Sequence, residues 1–407
     1  MAIVKPFKAW RPKPEFAEEV ACVPYDVINT SEAREMAAGN DKSFLHVIRP
    51  EIGHPAGISV YDEKVYQNGK ENLYHLLQSD SFIQEDKESL YIYRLTMNGR
   101  SQTGIFGCVS VEDYNNDVIL KHEKTRPDKE NDRTKHIVTQ QAHAEPVMLT
   151  FRDSENVTQF MSNHIQDHTP LYNIETTDGI SHTIWKVEDH SPLSDAFERI
   201  PKIYIADGHH RCASAARAAK ESASTNPEHD GTEEYNYFPA VLFPTDQLEI
   251  LAYNRIVLSI PDDFLKQLSA RFNVKKNANP VPQNKGTVAF YLNDNWFSVD
   301  LPAGDNSNPA SLLDISLLQH QVLEPILEIK DQRTDPNIDF VGGIRGTDEL
   351  EKLVDNGEAA LGISLYPTSI EELLDVSDAG MLMPPKSTWF EPKLRSGLLV
   401  HTFETSQ

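Results

Sequence analysis

The stretch IPKIYIADGHHRCASAARAAK, Ile200 to Lys220, dictates a strand, a turn and a helix in that order, and so commits the chain to a βα unit. Ile203 and Ile205 alternate with Lys202 and Tyr204, the two-residue period of a strand, and the apolar line stops at Asp207-Gly208. Cys212, Ala215, Ala216 and Ala219 then fall at i, i+3, i+4 and i+7, the stripe of a helix packed on a neighbour. Asp207, Gly208, His209, His210 and Arg211 therefore sit on a strand-to-helix turn.

A turn of this kind points backbone N–H groups outward at the positive end of the helix dipole, which makes it an anion site. Gly208 has no side chain to block a phosphate, His209 and His210 add donors, and Arg211 can hold two oxygens at once. Asp207 is the odd member, because an acid beside phosphates is unfavourable unless it holds Mg²⁺ or accepts a proton during phosphoryl transfer. The plainer reading has Asp207 capping the helix with both histidines on an exposed first turn, but a cap accounts for Asp207 alone. Metal ligation by the histidines is disfavoured, since adjacent helical residues point about 100° apart.

The background charge sharpens this reading. A formal net charge of −24 over 407 residues argues against nucleic acid or an anionic membrane as partner, so an anionic ligand needs a local basic pocket. No apolar run approaches the ~20 residues that span a bilayer. Prolines interrupt the opening MAIVKPFKAWRPKPEF before a signal-peptide core could form, and the chain is read as cytoplasmic. Cys22, Cys108 and Cys212 are scattered and form no C-x-x-C pair, which leaves no disulfide framework or thiolate metal knuckle.

Further along, CVPYDVI and SFLHVIRPEI read as short strands, SEAREMAAG as a helix ending at Gly39, and LYIYRLTMNGRSQTGIFGCVSVEDY as a hairpin about Asn98-Gly99. A charged helix is expected near 129–141, and ESASTNPEHDGTEE, Glu221 to Glu234, reads as a loop. Beyond Ile260 helices and strands alternate closely. The expected architecture is mixed α/β (α+β), with a nucleotide-binding region over 1–259 and a C-terminal α+β region over 260–407.

The turn YIADGHHRCASAA resembles the DGHHR signature of the SerK-like free serine kinases, relatives of the ParB and sulfiredoxin superfamily. VPYDVI, SFLHVIRPEI, TGIFGCVSVEDY, LKHEKT, ENDRTKH, YIADGHHR and MPPKSTWFEPKLRSGL extend the likeness from Pro24 to Leu398, to a bacterial and protist family whose domain is catalogued without a function and is linked to serine kinase activity. The resemblance implies a ParB/sulfiredoxin-like phosphate-binding core elaborated with extra strands and helices. In sulfiredoxin the related turn is G-C-H-R; His209 stands at its cysteine position here, which removes thiol chemistry and keeps the phosphate cradle. Cys212 falls on the apolar stripe and reads as a small core residue.

Two clusters support the turn. LKHEKTRPDKENDRTKH, Leu120 to His136, packs twelve ionisable side chains into seventeen residues, ordinarily a solvated surface. His122 and Glu123 nevertheless follow the apolar pair Ile119-Leu120 at a strand end, and the resemblance marks HEKT and NDR. Glu123 is thus a second proton acceptor or metal ligand, and His122, Lys124, Arg126 and Arg133 are substrate-binding or charge-neutralising residues. In MPPKSTWFEPKLRSGL, Lys386, Ser387 and Thr388 form a second anion contact, with Lys393 nearby; the alternative is a proline-braced packing loop.

The function expected is transfer of a phosphoryl group from ATP or ADP to the hydroxyl of free L-serine, giving O-phospho-L-serine, with serine itself resting on the resemblance. Gly208 to Arg211 would grip the donor phosphates, Mg²⁺ would bridge them on Asp207 and Glu123, and one of those acids would take the proton. The alternatives are a nucleotide-binding sensor without turnover and a metal-dependent hydrolase on His122, His209, His210 and Asp207. Partners would be the nucleotide and L-serine, and a homo-oligomer is compatible with the sequence.

Overall fold

Asn98 and Gly99 both take left-handed backbone (φ 53° and 79°) in the computed structural model of the protein, closing the hairpin that the NG pair predicts. The structure describes residues 2–304 and 307–403. Its strands β1 (Val4–Lys5), β2 (Leu90–Met97), β3 (Arg100–Ser110), β4 (Ile119–Leu120), β5 (Val147–Phe151), β6 (Tyr172–Glu175), β7 (Ser181–Val187), β8 (Ile203–Asp207) and β9 (Tyr237–Pro244) form one mixed sheet. Its order is β4-β8-β5-β9-β3-β2-β7-β6, with β1 also on β3. The β8–β4 and β5–β9 pairs are parallel and the remainder antiparallel.

One face of this sheet carries the main core, where Leu149, Ile203, Ile205 and Leu242 are wholly buried. Helix α1 (Pro127–Gln140), the charged helix expected, and α2 (His209–Thr225) follow on from β4 and β8. The alanine stripe is set into that core, with Cys212 and Ala215 at 0% and 1% exposure, and burial raises the Cys212 thiol to about 12, which keeps it an inert packing group.

A second sheet consists of β10 (Asn254–Val257), β11 (Lys275–Lys276), β12 (Thr287–Leu292), β13 (Asn295–Asp300), β14 (Ile338–Val341) and β15 (Leu361–Leu365), all antiparallel in the order β11-β13-β12-β15-β10-β14. Helices Phe264–Arg271, Asp314–Leu318, Glu324–Leu327 and Ile370–Asp378 belong to the same region, and Ser369 opens the last of these with a capping box. The fold is mixed α/β, as expected.

The division into units differs from 1–259 and 260–407. One unit is Met1–Lys121, Thr125–Leu248 and Pro392–Gln407; the other is His122–Lys124 and Glu249–Glu391. The early boundary follows from β10, which pairs inside the second sheet. The return of the tail follows from antiparallel contacts of Ser396 with Cys22, Val400 with Trp10 and His401 with His143.

Three local expectations also change. CVPYDVI makes only the Cys22 bridge, and SFLHVIRPEI forms a one-turn helix (Leu45–Ile48) and a 3-10 turn (Pro50–Gly53), because Phe44, Leu45, Val47 and Ile48 are all drawn into one core cluster that a flat strand could not fill from both faces. In the segment read as loop, Glu221 to Thr225 extends α2.

Asp314 in the second unit is 8% exposed and both its carboxylate oxygens accept from the Gly286 amide; burial raises its pKa to about 6. Its proton is therefore held more tightly folded than unfolded, so the Asp314 contribution to stability is most favourable in acid and falls between about pH 4 and 6, by about 3 kcal/mol. Asp314→Asn is expected to remove that slope in urea titrations at pH 4, 5, 6 and 7.

Candidate functional site

A β-bulge decides where Asp207 points. In β8, Ile205 faces Leu149 but Asp207 faces Met148, so Ala206 is the extra residue. Unbroken alternation would place Asp207 on the face of Ile203 and Ile205, inside the core. The bulge turns it to the opposite face, as bulges beside functional sites commonly do.

Gly208 then takes φ 101° as the residue that begins α2, and no side chain caps the helix. A Cβ there would lie 3.1 Å from Arg211 Nε and 3.1 Å from Val147 Cγ1, so both the backbone angle and the space demand glycine. Gly208→Ala is expected to cost about 1–3 kcal/mol, seen as a lowered urea midpoint.

Asp207 is not a helix cap. Its Oδ2 lies 3.3 Å from Lys393 Nζ and 3.5 Å from Arg211 Nη2, and these cations hold its pKa well below the carboxylate range despite burial. A carboxylate held this way is a weak proton acceptor, and two cations on one oxygen oppose a dication, so Asp207 does not fit a magnesium ligand. Among the described residues no group of three or more His, Cys, Asp and Glu side chains is arranged to hold a metal. His209 is 7% exposed rather than on an open turn, and its charge acts on Asp207. His210 Nε2 accepts from the Arg126 amide at 3.0 Å, which puts the ring proton on Nδ1 and ties the start of α1 to the start of α2.

Arg211 is 7% exposed; its Nη1 donates to the Pro146 carbonyl, and its Nε is buried with no acceptor among the described residues. Of the acids around it, Asp26 raises its pKa most, ahead of Asp207 and Glu145. Glu145, also enclosed, accepts from the Tyr25 amide at 3.0 Å and lies 3.8 Å from Arg133 Nη1. Burial raises the pKa of Glu145, against the pull of both arginines. Arg133 donates to Asp132 Oδ2 at 2.9 and 2.7 Å and stands 4.1 Å over the Tyr25 ring, which makes it an internal brace. Arg126 is exposed and pairs with neighbouring Asp128 at 2.9 Å.

Tyr25, Asp26 and Glu145 escaped assignment from sequence. The VPYDVI motif marks the first two, yet no spacing links residues 25 and 145 to residue 211; only folding brings them together.

The second unit gathers the other motifs. The His122 carbonyl accepts from the Met383 amide at 2.7 Å, joining the HEKT loop to the MPPKST loop; His122 is buried, Glu123 half-buried and Lys124 exposed. Lys386 is exposed, with its ammonium 5.4 Å from the Tyr253 ring centre. The Ser387 hydroxyl donates to the Pro384 carbonyl at 2.7 Å, so that proton serves the turn, while Thr388 is half-buried. The structure thus brings Asp207 to Arg211 together with Lys393 in one unit, and His122 to Lys124 together with Lys386 to Thr388 in the other.

Residues 4–316 match the profile of a family described as protein of unknown function, DUF1015. The chain belongs to this family. No curated protein matches. Among solved structures, a free serine kinase in complex with AMP is 12% identical with TM-score 0.38, covering 72% of this chain and 92% of that one. A conserved hypothetical protein from Pyrococcus furiosus is also 12% identical, with TM-score 0.38 over 72% and 95%. C-terminally truncated SbnI from Staphylococcus aureus is 12% identical, with TM-score 0.38 over 73% and 87%. Among the described residues no helix is long and apolar enough to cross a membrane.

Proposed function

We propose that this protein is a phosphotransferase that moves a phosphoryl group from ATP or ADP to the hydroxyl of free L-serine. The observation that carries the proposal is the turn at Gly208: a left-handed glycine opening a seventeen-residue helix without a side-chain cap, beside buried Arg211 and Lys393. A glycine-led helix start without a side-chain cap, with two cations at hand, is what a phosphate requires. The turn is read as a phosphate-binding core of the ParB and sulfiredoxin type. Mg²⁺ enters as part of the nucleotide substrate. Serine as acceptor rests on the resemblance of YIADGHHR and its companion motifs to the SerK-like kinases.

In the transfer, the bond between phosphorus and the leaving nucleotide oxygen breaks as a bond to the serine oxygen forms, and the hydroxyl proton passes to a carboxylate. Asp207, committed to Lys393 and Arg211, suits the role of holding those cations in place. Asp26 suits the proton better: it is exposed, acts on Arg211, and has no hydrogen bond or ion pair with the described residues. Lys386 and Thr388 are read as an anion contact of the second unit.

Phosphorus NMR of the protein with Mg²⁺ and L-serine, supplied in parallel with ATP and ADP, tests this reading. The expected result is an O-phosphoserine signal that Asp26→Asn lowers at least ~100-fold. Nucleotides that bind yet stay intact would make the turn a cradle without transfer, a nucleotide sensor.

A further inference from the structure

Arg255 is the bulkiest wholly buried side chain among the described residues, at 0% exposure, and no carboxylate is among its partners. Its Nε donates to Gln332 Oε1 at 3.1 Å and its Nη1 to the Tyr253 carbonyl. Its Nη2 donates to the carbonyls of Pro385 and Lys386 at 3.2 and 3.0 Å. Burial lowers its pKa to about 9, which leaves it charged at neutral pH. An enclosed cation without a counter-ion is expensive, and an apolar strut would pack the same space at less cost.

The turn that Arg255 grips is itself strained. Eight non-glycine residues among those described have left-handed backbone, and five are Asn or Asp, the types that tolerate it. Of the three long side chains, Gln141 and Glu328 end helices, where this conformation is ordinary. Lys386, at φ 56°, does not. Pro385 followed by a left-handed residue is the type II turn pattern, which favours glycine at the second place. A lysine kept there in glycine's stead, exposed and with its backbone clamped by a buried arginine, is strain retained for its side chain.

We propose that Arg255 is a positioning residue, clamping the Pro384–Ser387 turn so that Lys386 presents its ammonium to an oxyanion, phosphate or carboxylate, of a ligand held by the second unit. This rests on reading the MPPKST loop as an anion contact. Trp389, whose ring lies 5.1 Å from that of Tyr253, follows the turn closely enough to report on it.

Protein labelled with 5-fluorotryptophan, its Trp389 resonance assigned through Trp389→Phe, can be titrated by ¹⁹F NMR with ATP, ADP, L-serine and inorganic phosphate. A shift with the nucleotides and phosphate identifies a phosphate site; a shift with L-serine alone identifies a carboxylate site. Lys386→Gly should relieve the turn, leaving the melting temperature equal or higher, yet weaken that ligand about tenfold. Arg255→Met should weaken it as much or more, and Arg255→Lys, which keeps charge but loses the fork, should fall between. A ligand affinity unchanged in Lys386→Gly, or no ligand moving Trp389, overturns the inference. The kinase reading is judged separately by phosphoserine formation: turnover with unaltered KM for both substrates in Lys386→Gly would retain the kinase and discard the clamp.

Discussion

Asp207→Asn is expected to destabilise the protein by about 3 kcal/mol and to weaken nucleotide binding at the turn. The asparagine keeps the shape but leaves Lys393 and Arg211, 8% and 7% exposed, facing each other without the charge between them. Breaking a buried ion pair by removing one partner commonly costs about 3–5 kcal/mol, and the lower end applies because the Asp207 side chain is 27% exposed. Lys393→Met should cost about 1–2 kcal/mol, since Asp207 keeps Arg211 and some water. The double variant should then lose less than the sum of the two, a coupling that urea unfolding of all four proteins reads directly. Strict additivity would mean that Lys393 and Asp207 do not act as a pair.

The pH dependence follows with its sign. The folded pKa of Asp207 lies below the unfolded one, so the pair's stabilisation is present above about pH 4 and is lost as pH falls through the folded value. Asp207→Asn should accordingly flatten the acid limb of the stability profile.

The second large effect is expected at Arg133, and it separates bracing from phosphate binding. Arg133→Met leaves Asp132 and Glu145, with side chains 5% and 6% exposed, without their shared cation. A loss of about 3–5 kcal/mol follows, most of it the uncompensated burial of negative charge. If Arg133 instead met phosphate, stability would change little and the nucleotide KM would rise. Arg126→Ala is the contrasting case: its pair with Asp128 is exposed, and removal should alter stability by no more than about 0.5 kcal/mol.

These two arginines show where the sequence stops being informative. Both lie in one charged run that composition alone reads as a solvated surface and that the resemblance to the SerK-like kinases turns into phosphate neutralisers; folding puts Arg126 in water and Arg133 beneath Tyr25. Helix phase alone does not settle it, because the run lacks the apolar stripe that would mark its buried face.

By itself the sequence determined the elements with strong period or turn chemistry. The hairpin at Asn98-Gly99, the strand–turn–helix about Gly208, the charged helix and the alternation after Ile260 all rest on contacts between near neighbours. Only the tertiary structure decided the rest. The bulge at Ala206 that turns Asp207 out of the core, the return of the tail that sets Lys393 on it, and the convergence of Asp26 and Glu145 on Arg211 depend on residues far apart in the chain. Arg255 is the same case: as a single arginine in an apolar strand it carries no signal, and it becomes a clamp only when residues 385 and 386 are folded against it. Local spacing encodes short-range hydrogen bonds and helix faces; it carries no information on which distant charge will fill a buried site, because that is settled by packing and desolvation in the whole fold.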